Sequence, residues 1–139
     1  MKLQDQVISL ESAKKLKELG VEQESYLNWW KDRVGHWEIS HWPATKEAQE
    51  NSECISAFTV AELREMLPDC IKPEENVLFL NYDRDKQDSH HFIDYLPLDF
   101  NSDDQVESKT MVCKDTEAEA RAAMLIYLLE KGLIKNQNQ

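Results

Sequence analysis

Between Ala118 and Leu129 apolar residues fall on nearly every side of a helical wheel, and no other feature of the chain restricts its fold as much. Ala118, Ala122, Leu125 and Leu129 form the main stripe, and Met124, Ile126 and Leu128 widen it to most of the circumference. A helix that is apolar all round has to be covered all round. Its ends are marked as well. Thr116-Glu117-Ala118-Glu119 has capping-box spacing, in which the Thr hydroxyl takes one orphan amide and the Glu reaches back for another, and Gly132 stops the helix after Lys131. The longest apolar run, Ala122 to Leu129, is eight residues, far short of the roughly 18 that cross a bilayer. The Thr116–Lys131 helix is therefore expected at the centre of a core, lying on a sheet.

The remaining segments supply that sheet and two more helices. Ser9 is placed to cap a helix over Leu10 to Leu19, with Leu10, Ala13, Leu16 and Leu19 on one face and Gly20 at the stop. Thr59-Val60-Ala61-Glu62 repeats the capping box and opens a helix that ends before Pro68. Tyr26 to Trp30 and His36 to Trp42 are aromatic-rich and are separated by a segment containing Gly35, which predicts a β-hairpin. Pro43 to Ser52 reads as a polar loop. Val77 to Tyr82 and His91 to Leu96 read as strands around the acidic loop Asp83 to His90, Leu98 to Gln105 as a second acidic loop, and Lys109 to Cys113 as a last strand. The expected class is α+β: one domain over residues 1–139, a small, mostly antiparallel sheet and three helices, with the C-terminal helix packed centrally on the sheet.

Composition narrows the function classes. Leu, Ile, Val and Phe make up 33 of 139 residues, enough for a folded core despite the charge. The net charge of −11 disfavours direct binding to a nucleic-acid backbone or an anionic membrane surface. It is spread along the chain, and Lys14, Lys15 and Lys17 form the only compact basic cluster. No basic start followed by an apolar run marks a secretory signal. Three cysteines, Cys54, Cys70 and Cys113, with no C-x-x-C pair, fit free thiols in a reducing cytoplasm rather than a disulfide framework or zinc knuckle.

The three glycines, Gly20, Gly35 and Gly132, stand far apart, so neither a P-loop nor a Rossmann loop can form. G-x-S-x-G and H-E-x-x-H are missing too. Read as a calcium loop from Asp83, the chain places Asp85 third and Asp94 twelfth but Asp88 sixth, where the sharp turn requires glycine. A transition metal on His90, His91 and the neighbouring aspartates would need both histidines in the loop, because adjacent strand residues face opposite ways. No catalytic residue, metal or cofactor is expected from these patterns.

Three pieces, Leu10 to Gly20, Ala57 to Pro68 and Asp115 to Leu129, carry a resemblance. They are similar to small uncharacterised proteins encoded by phages, prophages and mobile elements of gut bacteria. The resemblance implies an accessory, phage-related context and carries over no site.

With catalytic signatures absent and aromatic residues concentrated in one segment, the expected function is that of a non-enzymatic cytoplasmic protein that binds another protein. The alternatives are an acidic mimic of DNA that blocks a nucleic-acid enzyme, and a metal-dependent hydrolase built on His90 and His91. Strand alternation predicts the partner surface. Trp29 and Trp37 belong to the core face, while Tyr26, Asn28, Trp30 and Trp42 belong to the outer one, with polar Asn28 marking that face as exposed. Tyr26, Trp30 and Trp42 are thus the candidate partner-binding residues.

Overall fold

The computed structural model of the chain describes residues 2–73, 76–97 and 111–135. A single turn, α1 (Leu3–Gln6), precedes α2 (Leu10–Glu18), whose first turn is capped by the Ser9 hydroxyl accepting from the Ser12 amide at 3.2 Å. Gly20 ends α2 in the left-handed region at φ +87°, where a side chain would be strained. The hairpin forms from β1 (Asn28–Lys31) and β2 (Trp37–Ser40). At its tip, Asp32 Oδ1 accepts from the Val34 and His36 amides, each at 2.8 Å.

Between the hairpin and the next predicted helix the chain is more regular than a polar loop. Thr45 Oγ1 accepts from the Ala48 amide at 3.1 Å and starts the short helix α3 (Lys46–Glu50), after which β3 (Cys54–Ser56) adds a third strand beside β1. The capping box at Thr59 is complete: Glu62 Oε1 accepts from the Thr59 amide at 3.0 Å, the Thr59 hydroxyl accepts from the Glu62 amide, and α4 (Val60–Met66) runs until the backbone turns extended at Leu67, before Pro68. Next come β4 (Cys70–Ile71), β5 (Leu78–Arg84), β6 (His91–Leu96) and β7 (Val112–Lys114). Strand β5 continues two residues past the predicted Tyr82, so the acidic loop begins later, at Asp85. The predicted loop over Leu98 to Gln105 and the start of the predicted strand at Lys109 lie outside the described residues.

The strands form two antiparallel sheets rather than one, in the orders β2-β1-β3 and β4-β5-β6-β7. The class is α+β, with five helices among the described residues where three were expected; the two additional ones, α1 and α3, are four and five residues long. The last helix, α5 (Glu117–Glu130), is where its apolar circumference requires it to be. It packs on β6 and β7 on one side and against α4 and α2 on others, burying Ala118, Ala122, Met124, Leu125 and Leu128. One apolar cluster joins these residues to Ile8, Leu16, Ile55, Phe58, Leu63, Ile93 and Tyr95. No helix among the described residues is long and apolar enough to cross a membrane.

The cap at Thr116 forms only in half. Its hydroxyl accepts from the Glu119 amide at 3.1 Å, but the Glu119 carboxylate turns away to the neighbouring helix, where it accepts from the Ser9 amide and, at 3.0 Å, from the Ser12 hydroxyl. Glu119 thus caps α2 instead of its own helix. Leu128→Ala is expected to cost about 2–5 kcal/mol in denaturant melts, as deletion of a fully enclosed leucine does. In a double-mutant cycle, Glu119→Ala and Ser12→Ala should couple by about 0.5 kcal/mol or more; strict additivity would show that the bond between the helices contributes nothing.

Candidate functional site

Alternation in the hairpin places its aromatics as follows. Trp29 and Trp37 pack against the core; the Trp29 ring N–H donates to the Ile8 carbonyl at 3.1 Å, and the Lys14 ammonium lies 5.4 Å from the centre of the Trp37 ring. The opposite face corrects one expectation. Asn28 does not mark an exposed surface: only 1% of it is accessible, and it stands across from the buried Ser56 of β3. The chain leaving β2 folds back over it, so that the Trp42 carbonyl accepts from Asn28 Nδ2 and from the Trp30 ring N–H, both at 3.3 Å. The returning backbone meets the Asn28 side-chain donor, while Asn28 Oδ1 and the facing Ser56 hydroxyl stay buried without a hydrogen-bond partner among the described residues, a cost that the packing around them has to offset. Trp30 becomes half-buried by the same folding.

Tyr26 and Trp42 remain in solvent, 84% and 68% exposed. Their backbones are nonetheless held. The Tyr26 amide donates to Glu62 Oε2 at 3.4 Å, and the preceding Ser25 hydroxyl donates to Glu62 Oε1 at 3.0 Å, while the Trp42 amide donates to the Ser40 hydroxyl at 3.2 Å. His41 stacks beside Trp42 with ring centres 6.2 Å apart. Two large aromatic side chains therefore project from anchored backbone, one on each side of buried Asn28 in the chain's folded path.

The acidic loop closes on itself. Asp85 Oδ1 accepts from the Gln87 amide at 2.8 Å, the Asp85 carbonyl accepts from the Ser89 amide at 2.9 Å, and Ser89 takes the left-handed conformation at φ +58°. The two histidines beyond it part company: His90 Nε2 lies 3.4 Å from Asp115, and His91 Nδ1 lies 2.7 Å from the Tyr82 hydroxyl. Among the described residues no three His, Cys, Asp or Glu side chains are grouped so that they could hold a metal ion. All three cysteines are free thiols, Cys54 buried and the other two exposed. Burial pushes the Cys54 thiol up, away from the reactive thiolate.

Tyr82 and His91 belong to a second grouping that the sequence reading missed. Arg121 sits in the second turn of α5 at 5% exposure, donating from Nε and Nη2 to Glu117 Oε1 at 3.2 and 3.1 Å, with its guanidinium carbon 5.1 Å from the centre of the Tyr82 ring. Arg64 of α4 reaches the same carboxylate oxygen at 2.7 Å. The i, i+4 spacing of Glu117 and Arg121 was the available signal, but nothing local indicated that the pair would be buried. Burial raises the Glu117 pKa less than the bonds from Arg64 and Arg121 lower it, so the carboxyl is held below its ordinary value. Burial, then the charge of Glu117, pushes Tyr82 up; burial, then the charge of Arg84, holds His91 below the usual imidazole value. At neutral pH these directions favour an uncharged phenol–imidazole pair beside an ionised carboxylate whose Oε1 takes all three guanidinium bonds. Tyr82, His91 and Glu117 line an open cleft of about 750 Å³, and among the described residues no Ser, Thr or Cys is hydrogen-bonded to the histidine. The grouping ties β5 and β6 to α4 and α5.

Glu117→Gln should destabilise the fold at neutral pH by about 3 kcal/mol, because it leaves a buried guanidinium without its counter-charge. The Glu117 pKa is lower folded than unfolded, so its contribution is complete above the unfolded value and disappears as the pH falls through the folded one. The gap in melting temperature between wild type and variant is thus expected to close in acid, below about pH 4; a gap of constant size would show that the carboxylate charge is not involved. No family model, no curated protein and no solved structure matches this chain.

Proposed function

We propose that the protein is a non-enzymatic interaction protein that engages another protein through the surface formed by Tyr26 and Trp42, with half-buried Trp30 at its edge. The observation that carries this reading is the combination of very high exposure at Tyr26 and Trp42 with hydrogen-bonded backbone beneath them. Tyrosine and tryptophan contribute large contact area at a small cost in side-chain freedom, and they dominate binding hot spots where the scaffold is already ordered. The cytoplasmic, phage-related accessory context implied by the resemblance belongs to the same proposal. The charge of −11 keeps the acidic DNA-mimic reading as its rival.

Substitution separates structure from contact. Trp29→Ala is expected to cost about 3 kcal/mol, since Trp29 packs on the core and ties β1 to Ile8. Tyr26→Ala and Trp42→Ala should each stay within about 1 kcal/mol, because the bonds that hold these residues come from their backbones. Affinity capture from cells expressing the protein, at low and at high salt, then tests the surface. A partner retained at high salt by the wild type and lost by the Tyr26→Ala/Trp42→Ala variant supports the proposal. A partner released by salt and indifferent to both aromatics favours the DNA mimic instead.

A further inference from the structure

The segment between α2 and β1, the facing sides of α4 and α5, and Ile134 and Lys135 beyond α5 bound an open pocket of about 260 Å³, room for one large side chain. Its floor is apolar and continuous with the core, made by Phe58, Met66, Leu125 and Leu129. Its rim is acidic. Glu22, Glu24, Glu62 and Glu65 surround the opening, against one lysine, Lys135. Glu62 is occupied by the Thr59, Ser25 and Tyr26 groups that it accepts from, but among the described residues no ion pair neutralises Glu22, Glu24 or Glu65. Glu22 and Glu24 crowd each other enough that a hydrogen bond between them, and their repulsion, push the Glu22 carboxyl up.

We propose that this pocket seats an apolar side chain from a basic segment of a partner protein, a stretch in which a leucine-like or aromatic residue is flanked by lysine or arginine. The inference rests on the interaction reading above and gives the partner a chemistry. The apolar floor sets the anchor, and three unneutralised carboxylates around it set the sign of the flanking charges. Tyr26 extends the same rim: its amide is bonded to Glu62 and its exposed ring offers a face on which an arginine can stack. The charge of −11 attracts such a segment from a distance and repels an acidic one.

The test uses a fluorescein-labelled amphipathic helical peptide of leucine and lysine, titrated with the full chain by fluorescence anisotropy at physiological salt. A second peptide has the same lysines with serine in place of leucine. The Glu22→Gln/Glu24→Gln/Glu65→Gln variant should bind the leucine peptide at least tenfold more weakly. A variant with an equal change of charge elsewhere, Glu47→Gln/Glu50→Gln/Glu53→Gln, should stay within twofold of wild type. The serine peptide should bind at least tenfold more weakly than the leucine peptide, and the Met66 methyl resonance should move on titration with the leucine peptide alone. Equal weakening by both triple variants, equal binding of both peptides, or an unmoved Met66 methyl would overturn the assignment. So would a chain that binds neither peptide, or one that pairs with a second copy through this pocket. If the pocket fails in this way while capture still depends on Tyr26 and Trp42, the interaction reading survives without it; if capture ignores the aromatics, that reading fails independently.

Discussion

Packing α5 between the four-stranded sheet and the other helices leaves the polar groups of its first turn with few places to go, and most of the architecture follows from where they go. The two carboxylates there face other helices. Glu117 receives Arg64 from α4 and Arg121 from its own next turn, and Glu119 receives the start of α2. Both lie at the positive end of the helix dipole, where negative charge is favoured. One turn of backbone thus fixes three helices relative to one another without placing a lone charge in the core. Arg121 is the clearest case. Its aliphatic stem can share the apolar face of α5, while its head is met by a carboxylate on one side and the face of Tyr82 on another.

The two sheets divide the remaining work. The four-stranded sheet turns Leu80, Tyr82, Ile93 and Tyr95 toward the core, and the Tyr95 hydroxyl, buried, donates to the Pro68 carbonyl at 2.8 Å. The three-stranded sheet sends Trp29 and Ile55 to that core and keeps Asn28, Cys54 and Ser56 buried on its other side. That second buried side gives the hairpin a rigid footing, so the loops flanking it can hold aromatic rings in water without being folded away around them. A single-layer hairpin with one wet face would not provide this support.

Where local chemistry decided the outcome, the sequence was readable. Ser9, Thr59 and Thr116 cap the three long helices at the expected positions, Gly20 and Gly132 stop two of them with positive φ, and β6 spans the predicted residues. Where a distant partner decided it, the sequence was silent. Strand β3 is three residues long and is buried throughout, so it shows no alternation; it is a strand because β1 offers an edge. Asn28 looked like surface because a polar residue on a strand is usually wet, and only the return of the chain at Trp42 makes its burial possible. Glu119 fitted a capping box and forms half of one, its side chain captured by a helix 107 positions away at Ser12. Of the candidate partner surface, the exposure of Tyr26 and Trp42 agrees with alternation, whereas the half-burial of Trp30 depends on the same return of the chain.

The position of α5 in the chain also bears on how the protein is made. Synthesis delivers α2, the hairpin, α4 and most of both sheets before the helix against which several of them pack. Until it arrives, the Ser9 amide lacks its carboxylate partner, and the inward faces of Leu16, Leu63 and Ile93 lack the surface that encloses them. Enclosure of this core therefore waits for the last of its described helices. Apolar faces left waiting for a late partner are prone to associate, and a net charge of −11 opposes the approach of like chains.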